Sequence, residues 1–237
     1  MDSNYLNYLE NLAKSLGADL FGVADISSVL DFVCEQGGQH LRKFSYGISI
    51  GIRLLDSIVD ELHRRDEASV FYTYRALYNT VNARLDQIAF TLAKYIQDKG
   101  YFAYPVPASQ IVDQNKLIGV ISHKLVANLA GLGWIGKNCL LITPKYGPRV
   151  RLASILTNMP LYVGTPLENR CGECNMCVQA CPAKAFTGVP FRPEEPREKR
   201  FNAQLCYKYQ RERETKMGDS LCGMCVYICP YGRRPSK

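Results

Sequence analysis

The cysteines of this 237-residue chain carry its clearest chemistry, because eight of the ten fall into two short motifs. The first motif, residues 171–182, has the spacing C-x2-C-x2-C-x3-C-P; the second joins Cys206 to residues 222–230, which follow C-x2-C-x3-C-P. Three cysteines at every third position can reach three irons of one cubane, while the fourth points away and ligates another cubane. The pattern therefore predicts two [4Fe–4S] clusters.

The same geometry assigns ligands, because each motif gives its last cysteine to the cluster of the other motif. The predicted ligands of the first cluster are Cys171, Cys174, Cys177 and Cys229. The predicted ligands of the second cluster are Cys181, Cys206, Cys222 and Cys225.

Zinc and disulfides are the alternatives for these cysteines. Zinc sites usually pair two C-x2-C knuckles or combine Cys with His, and no histidine follows His123. Disulfides need an oxidising compartment, and no export signal is visible in the first residues. The pattern favours clusters over both alternatives. Cys34 and Cys139 lie outside the motifs and are expected to be buried thiols.

Composition limits the classes of protein that remain. Apolar residues make up 47% of the chain, which is typical of a globular protein with a core. No run approaches the ~20 apolar residues of a membrane span, so no membrane association is expected. A reduced, cytoplasmic and anaerobic setting follows as a hypothesis. The net charge of +7 is weak evidence for a nucleic acid or an acidic redox partner.

Hydrophobic periodicity predicts the elements that must position the motifs. It predicts helices over residues 5–16, 54–64, 68–99 and 123–129. Strands are predicted over 20–24, 46–52, 101–106, 139–143 and 149–156. Residues 160–170 are predicted to form a linker. The fold class is therefore α+β, with domains at residues 1–165 and 166–237, the second a small ferredoxin-like module.

A glycine-rich stretch, Ala130–Asn138, is the second candidate for function. Gly131, Gly133 and Gly136 would let a ligand approach the backbone closely. The spacing matches a dinucleotide fingerprint, but this loop follows a helix whereas that fingerprint follows a strand. The structural alternative is a tight turn that buries Trp134, the only tryptophan.

These residues carry a resemblance to a known family. Residues 130–138 (A-G-L-G-W-I-G-K-N), 140–142 (L-L-I) and 157–161 (T-N-M-P-L), followed by the first cysteine motif, resemble epoxyqueuosine reductase, and the arrangement is similar to the core of reductive dehalogenases. The resemblance implies a nitroreductase-like domain that binds cobalamin, with two clusters delivering electrons to it. The residues it places near the cofactor are Pro105, Ser109, Gly131, Gly133, Trp134, Gly136, Lys137, Asn138 and Arg149.

The chain departs from epoxyqueuosine reductase at the proton donor. The family has an Asp about thirteen residues before Ala130; in this chain that position falls near Leu117 and Ile118, and the nearest acid is Asp113. His123 replaces the usual Glu and is the candidate catalytic proton donor, since imidazole titrates near neutral pH. The structural alternative is a helix N-terminal histidine bonded to backbone. The family's helical-repeat extension is also expected to be absent, which makes tRNA a less favoured substrate.

The leading hypothesis is an oxidoreductase that passes low-potential electrons through two [4Fe–4S] clusters to a bound corrinoid, which reduces a small substrate. Its electron donor would be a ferredoxin or a flavodoxin. The alternative is an electron-transfer protein without substrate chemistry of its own, which reduces another enzyme or a corrinoid carried by another protein. A third possibility, FMN bound in the first domain, is the least favoured hypothesis.

Overall fold

The computed structural model describes residues 3–193 and 195–233 and has a mixed helix and sheet fold, which confirms the α+β prediction. The helices are α1 (Ser3–Ser15), α2 (Leu30–Gly37), α3 (Asp56–Val59), α4 (Ala68–Asp98), α5 (His123–Leu129), α6 (Met176–Gln179), α7 (Ala203–Met217) and α8 (Met224–Tyr227). The strands are β1 (Leu20–Asp25), β2 (Tyr46–Arg53), β3 (Ala103–Val106), β4 (Trp134–Ile135), β5 (Leu141–Ile142) and β6 (Val150–Thr157).

The chain divides into two compact units. The sheet unit comprises residues 1–53, 80–133 and 150–167, and the cysteine unit comprises residues 54–79, 134–149 and 168–237. Each unit is assembled from three stretches of chain. The division into domains at residues 165 and 166 stays a prediction.

The sheet unit is built on a four-stranded antiparallel sheet in the order β1-β2-β6-β3. β2 alternates large residues with Gly47, Ser49 and Gly51, so one face of this strand carries almost no side-chain bulk. Helix α5 fills that space: a methyl group at Gly47 would come within 2.8 Å of Val126. Small residues on one face of the central strand therefore allow α5 to lie close to the sheet.

An apolar core joins α2, α5 and the sheet. It includes Phe44, Leu41, Val126 and Leu156, each no more than 2% exposed, and it also contains the Cys34 thiol. Cys139 is 4% exposed in the cysteine unit. The prediction that both of these cysteines are buried is confirmed.

The cysteine unit has little regular structure apart from α7 and the first turns of α4. Asn202 caps α7 by accepting a hydrogen bond from the backbone N–H of Leu205, and Gly218 ends the helix in a left-handed conformation. Arg213, on α7, is 5% exposed and donates to the carbonyls of Leu221 and Arg65. A buried cation thus ties α7 to two other segments of the unit.

Several predicted elements differ from the structure. The single helix expected over 54–64 is one turn of α-helix, α3, followed by a 3-10 helix at Asp60–Arg64. The strand expected over 139–143 is only the two-residue β5, because residues 139 and 143 make turn contacts. Sequence periodicity missed α7, since its polar residues form no apolar stripe. Among the helices of residues 3–193 and 195–233, none combines the length with the apolar character that a membrane span needs.

Candidate iron–sulfur site

The first group of predicted ligands lies around one cavity of the cysteine unit. Helix α6 carries Cys177, and a turn in which the Cys174 N–H donates to the Cys171 carbonyl brings these two residues close to it. Cys229 comes from the second motif, two residues after the end of α8. This space is partly open to solvent. Its lining is Lys137, Asn138, Ile142, Cys171, Cys174, Cys177, Cys229, Pro230 and Tyr231.

The second group also takes one cysteine from the first motif. The electrostatic influence of Cys181 reaches Cys206, Cys222 and Cys225. The side-chain amide of Gln210 donates to the Cys206 sulfur at 3.3 Å, and the Ala185 N–H donates to the Cys181 sulfur at 3.4 Å. The structure thus brings together both predicted sets of four cysteines, and their role as ligands stays a prediction.

Burial dominates the acid–base properties of these thiols. It raises the pKa of Cys177 to about 11 and the pKa of Cys229 to about 12, with smaller contributions from the other thiols of the first group. The pKa of Cys225 also lies well above its usual range, chiefly because of burial. A thiol must lose its proton to ligate iron, so cluster binding at these buried positions has to supply the compensating positive charge.

Each of the two groups of cysteines suits a [4Fe–4S] cluster, because a cubane takes four thiolate ligands and each group has four thiols. No group of three or more His, Cys, Asp or Glu side chains between residues 3 and 233, Glu194 apart, could hold a single metal ion. A cubane spreads its four thiolates over four irons, so its ligands lie farther apart than those of one ion.

The loop from β4 to β5 is bonded to both cysteine motifs. Lys137 Nζ donates to the Gly172 carbonyl at 2.9 Å, and Asn138 Nδ2 donates to the Cys225 carbonyl at 3.2 Å. Gly136 is packed closely, because a methyl group there would lie 2.8 Å from the Ile142 side chain. These three predicted cofactor residues therefore have protein partners inside the cysteine unit.

Trp134 and Arg149 are also engaged within the cysteine unit. Trp134 is 1% exposed and packs with Cys229, as the tight-turn alternative expected. Arg149 is 1% exposed, and its guanidinium donates to Asp56 at 3.1 Å and to Asp60 at 2.6 Å. A cofactor role for these two residues stays a prediction, while their observed contacts stabilise the unit itself.

The other predicted cofactor residues belong to the sheet unit. Pro105 is an exposed residue of β3, and Ser109 is exposed on the loop that follows this strand. Gly131 has a φ of +76° after α5, and a methyl group there would lie 2.6 Å from the Thr165 carbonyl oxygen. The Gly133 carbonyl accepts a hydrogen bond from Asn128 at 2.9 Å. Gly131 is therefore required by the packing of its own chain.

His123 is the first residue of α5, and both of its ring nitrogens have partners. Nε2 lies 2.9 Å from the Pro107 carbonyl, and Nδ1 lies 2.9 Å from Ser154 Oγ. Burial lowers the pKa of His123 to about 4, and the charge of Arg151 adds to this effect. At neutral pH the ring is uncharged, so Nε2 carries the proton toward Pro107, and Nδ1 accepts from Ser154. These contacts favour the structural alternative, and proton donation stays a prediction.

Sequence reasoning missed the arginines beside the second group of cysteines. The positive charges of Arg65 and Arg213 act on the Cys222 thiol and lower its pKa, although burial outweighs them. Arg65 lies far from every motif cysteine in sequence, and Arg213 follows Cys206 by seven residues, a separation that belongs to no ligand motif. The only local signal was the cap at Asn202, which would have revealed the helix that carries Arg213.

Known proteins share these features. A family model of a "4Fe-4S double cluster binding domain" matches residues 170–232. Epoxyqueuosine reductase from Listeria monocytogenes is 36% identical over 125 residues, which cover 48% of this chain and 31% of that protein. The enzyme from Lactococcus garvieae is 30% identical over 166 residues, which cover 66% of this chain and 42% of that protein.

The predicted resemblance is confirmed. The matched stretches span only about a third to two fifths of these curated relatives. Solved structures share the fold: an epoxyqueuosine reductase crystallised with an epoxyqueuosine-modified tRNA stem loop has a TM-score of 0.62 and 22% identity, covering 96% of this chain and 65% of that one. A reductive dehalogenase described with a B12-dependent mechanism has a TM-score of 0.68 and 21% identity, covering 95% and 31%. The chain is therefore similar in sequence to epoxyqueuosine reductases, and its residues 170–232 match a double 4Fe-4S cluster binding domain.

Proposed function

We propose that this chain is an oxidoreductase that receives low-potential electrons, passes them through two [4Fe–4S] clusters, and delivers them to a bound corrinoid. The observation that carries the proposal is the crossed grouping of the cysteines, because each group of four draws on both motifs. Such crossing ties the two clusters into one small fold and keeps them near each other, which a relay of single electrons requires. A ferredoxin or a flavodoxin is the proposed electron donor.

The corrinoid part of the proposal rests on the likeness to epoxyqueuosine reductases and to the dehalogenase. When bound, a corrinoid would supply the reducing centre, and the protein would supply binding and orientation. Within the sheet unit, hydrogen bonds hold the loop after β3 in place, as binding and orienting a cofactor would require. The Ala108 N–H donates to Asp86 at 2.7 Å, and the Ala108 carbonyl accepts from Arg151 at 3.3 Å. His123 holds the neighbouring carbonyl of Pro107.

The substrate can be small or can be a nucleic acid. The likeness to a protein crystallised with a tRNA stem loop supports an epoxyqueuosine-modified tRNA. The missing Asp at position 117 supports a different, small substrate. Asp113 has its own local role, since its carboxylate accepts from the backbone N–H groups of Asn115 and Lys116. We favour the small substrate, and the stem loop is the competing outcome of the test.

Electron transfer in trans is the second candidate function. It is supported by the engagement of Lys137, Asn138 and Arg149 with protein groups, since these side chains were expected to hold the corrinoid. In this case the chain would reduce a corrinoid carried by another protein or feed another enzyme.

The test begins with anaerobic purification, followed by counts of iron and cobalt and by EPR after cobalamin is added. About eight irons and one tightly bound corrinoid per chain are expected. The loaded protein is then incubated with reductant and either the modified stem loop or a panel of small acceptors, with the Leu117→Asp variant beside the parent. Eight irons without bound corrinoid would leave electron transfer in trans, and four irons or fewer would overturn the two-cluster assignment.

A further inference from the structure

Lys137 is a buried lysine beside the first group of cysteines. It follows β4 in the loop to β5, is 6% exposed, and lines the same cavity as the four cysteines of that group. Its ammonium donates to the Gly172 carbonyl at 2.9 Å and to Asn175 Oδ1 at 3.1 Å. Both acceptors belong to the first motif, so the cation is fixed against the loop that holds Cys171 and Cys174.

Both of these acceptors are neutral. Among residues 3–193 and 195–233, no carboxylate lies within ion-pair distance of Lys137 Nζ. A buried ammonium is costly unless negative charge lies near it, and two neutral oxygens do not supply that charge. An ammonium has three N–H donors, and these two hydrogen bonds use two of them. The remaining source of negative charge on the cavity wall is the set of four cysteine sulfurs.

We propose that Lys137 sets the reduction potential of the cluster held by Cys171, Cys174, Cys177 and Cys229. Its fixed positive charge favours the reduced state, in which the site carries one more negative charge. The step adds one electron from a low-potential donor, makes or breaks no covalent bond, and needs no proton. The inference rests on the two-cluster part of the proposed function and does not depend on the corrinoid or the substrate.

The experiment is an EPR-monitored redox titration of the anaerobic protein with dithionite, with iron counts for every variant. Lys137→Met removes the charge, and Lys137→Arg keeps it. Asn175→Asp keeps the lysine and places a carboxylate on its ammonium with almost unchanged shape. Lys145→Met is the control, because Lys145 is an exposed lysine of the same unit.

We expect Lys137→Met and Asn175→Asp each to lower the reduction equilibrium constant of one cluster about tenfold, which is about 59 mV for a one-electron couple. The second cluster should keep its potential, and Lys137→Arg and Lys145→Met should leave both clusters close to wild type. Unchanged potentials in Lys137→Met and Asn175→Asp, with about eight irons bound, would overturn the inference. An equal shift in Lys145→Met or in Lys137→Arg would overturn it as well. Four irons or fewer in the wild-type protein would instead mark failure of the two-cluster assignment.

Discussion

The sheet unit and the cysteine unit bury polar groups by different means. In the sheet unit, β2 and β6 pair along eight residues each, and their backbone groups satisfy one another. In the cysteine unit, the paired strands β4 and β5 have only two residues each. There, buried cations bond to backbone carbonyls, as Lys137 does to Gly172 and Arg213 does to Leu221. Arginines of this unit also pair with carboxylates, as Arg149 does with Asp56 and Arg213 does with Asp66.

The net charge also differs between the sheet unit and the cysteine unit. The cysteine unit carries +6 of the net charge of +7, from 19 Lys and Arg against 13 Asp and Glu, while the sheet unit has 10 against 9. Two clusters with eight thiolates would offset much of this positive charge. The sheet unit therefore has almost no net charge, whereas the cysteine unit carries a positive charge that bound clusters would reduce.

Cysteine substitutions should have the largest effect and should be confined to the cysteine unit. If each motif gives its last cysteine to the other cluster, Cys181→Ala with Cys222→Ala damages one cluster and leaves about four irons. Cys181→Ala with Cys174→Ala damages both clusters and leaves far fewer. Iron counts and EPR of anaerobic protein measure this, and far-UV circular dichroism should show that the sheet persists. Equal iron in the two double variants would contradict the crossed assignment.

The buried ion pair of Arg149 tests the role of cations in the cysteine unit. The side chains of Arg149 and Asp56 are 1% and 9% exposed, whereas Asp60 is 55% exposed. Asp56→Asn should therefore lower the free energy of unfolding by about 3 kcal/mol, because it leaves a buried cation poorly compensated. Asp60→Asn is the matched control and should cost less than about 1 kcal/mol. Urea unfolding followed by cluster absorbance and by Trp134 fluorescence measures both, and equal costs would count against the pair.

In the sheet unit, the stability cost of a glycine substitution should depend on how closely the backbone packs around it. Gly131 and Gly100 both have positive φ at helix ends, but only Gly131 faces a backbone carbonyl at close range. Gly131→Ala should destabilise the unit by about 2 to 3 kcal/mol, since strain and a clash add together. Gly100→Ala should cost about 1 kcal/mol from the left-handed conformation alone. Thermal unfolding followed by circular dichroism compares them, and a Gly131 cost no greater than the Gly100 cost would show that the chain relaxes there.

The smallest expected effect is the pH dependence that His123 gives the sheet unit. Its folded pKa of about 4 lies below the unfolded value of about 6.5, so the unfolded chain binds the proton more tightly. Neutral His123 therefore makes its full contribution to the free energy of unfolding above pH 6.5. This contribution is lost as the pH falls from 6.5 toward 4. The loss should be roughly 1 to 2 kcal/mol after allowance for partial exposure.

The free energy of unfolding of His123→Gln should not show this loss when it is measured between pH 4.5 and 7, the range in which His123 of the wild type changes its contribution. A matched control is His40→Gln, since His40 is exposed. An identical pH profile for wild type and His123→Gln would show that the buried imidazole does not contribute.

Local patterns predicted much of the sheet unit. The alternation in residues 46–52 and the stripe in residues 68–99 match β2 and α4 closely, because both elements have one face that must be apolar. Helix α5 has the predicted bounds, since the glycine at 131 ends it. Helix α7 was missed because polar residues cover most of its surface. It is fixed instead by a cap and by Arg213, which bonds to residues far away in sequence.

The sequence alone predicted the two sets of cluster ligands, because the spacing of ligands in a cubane motif is local. It also determined the fold class and the resemblance. The contacts of the glycine-rich loop and its neighbours became visible only in the folded chain. Lys137, Asn138 and Arg149 bond to residues 35 to 93 positions away. Hydrogen bonds and ion pairs over such separations depend on which segments the fold brings together, and no local pattern of residues encodes that.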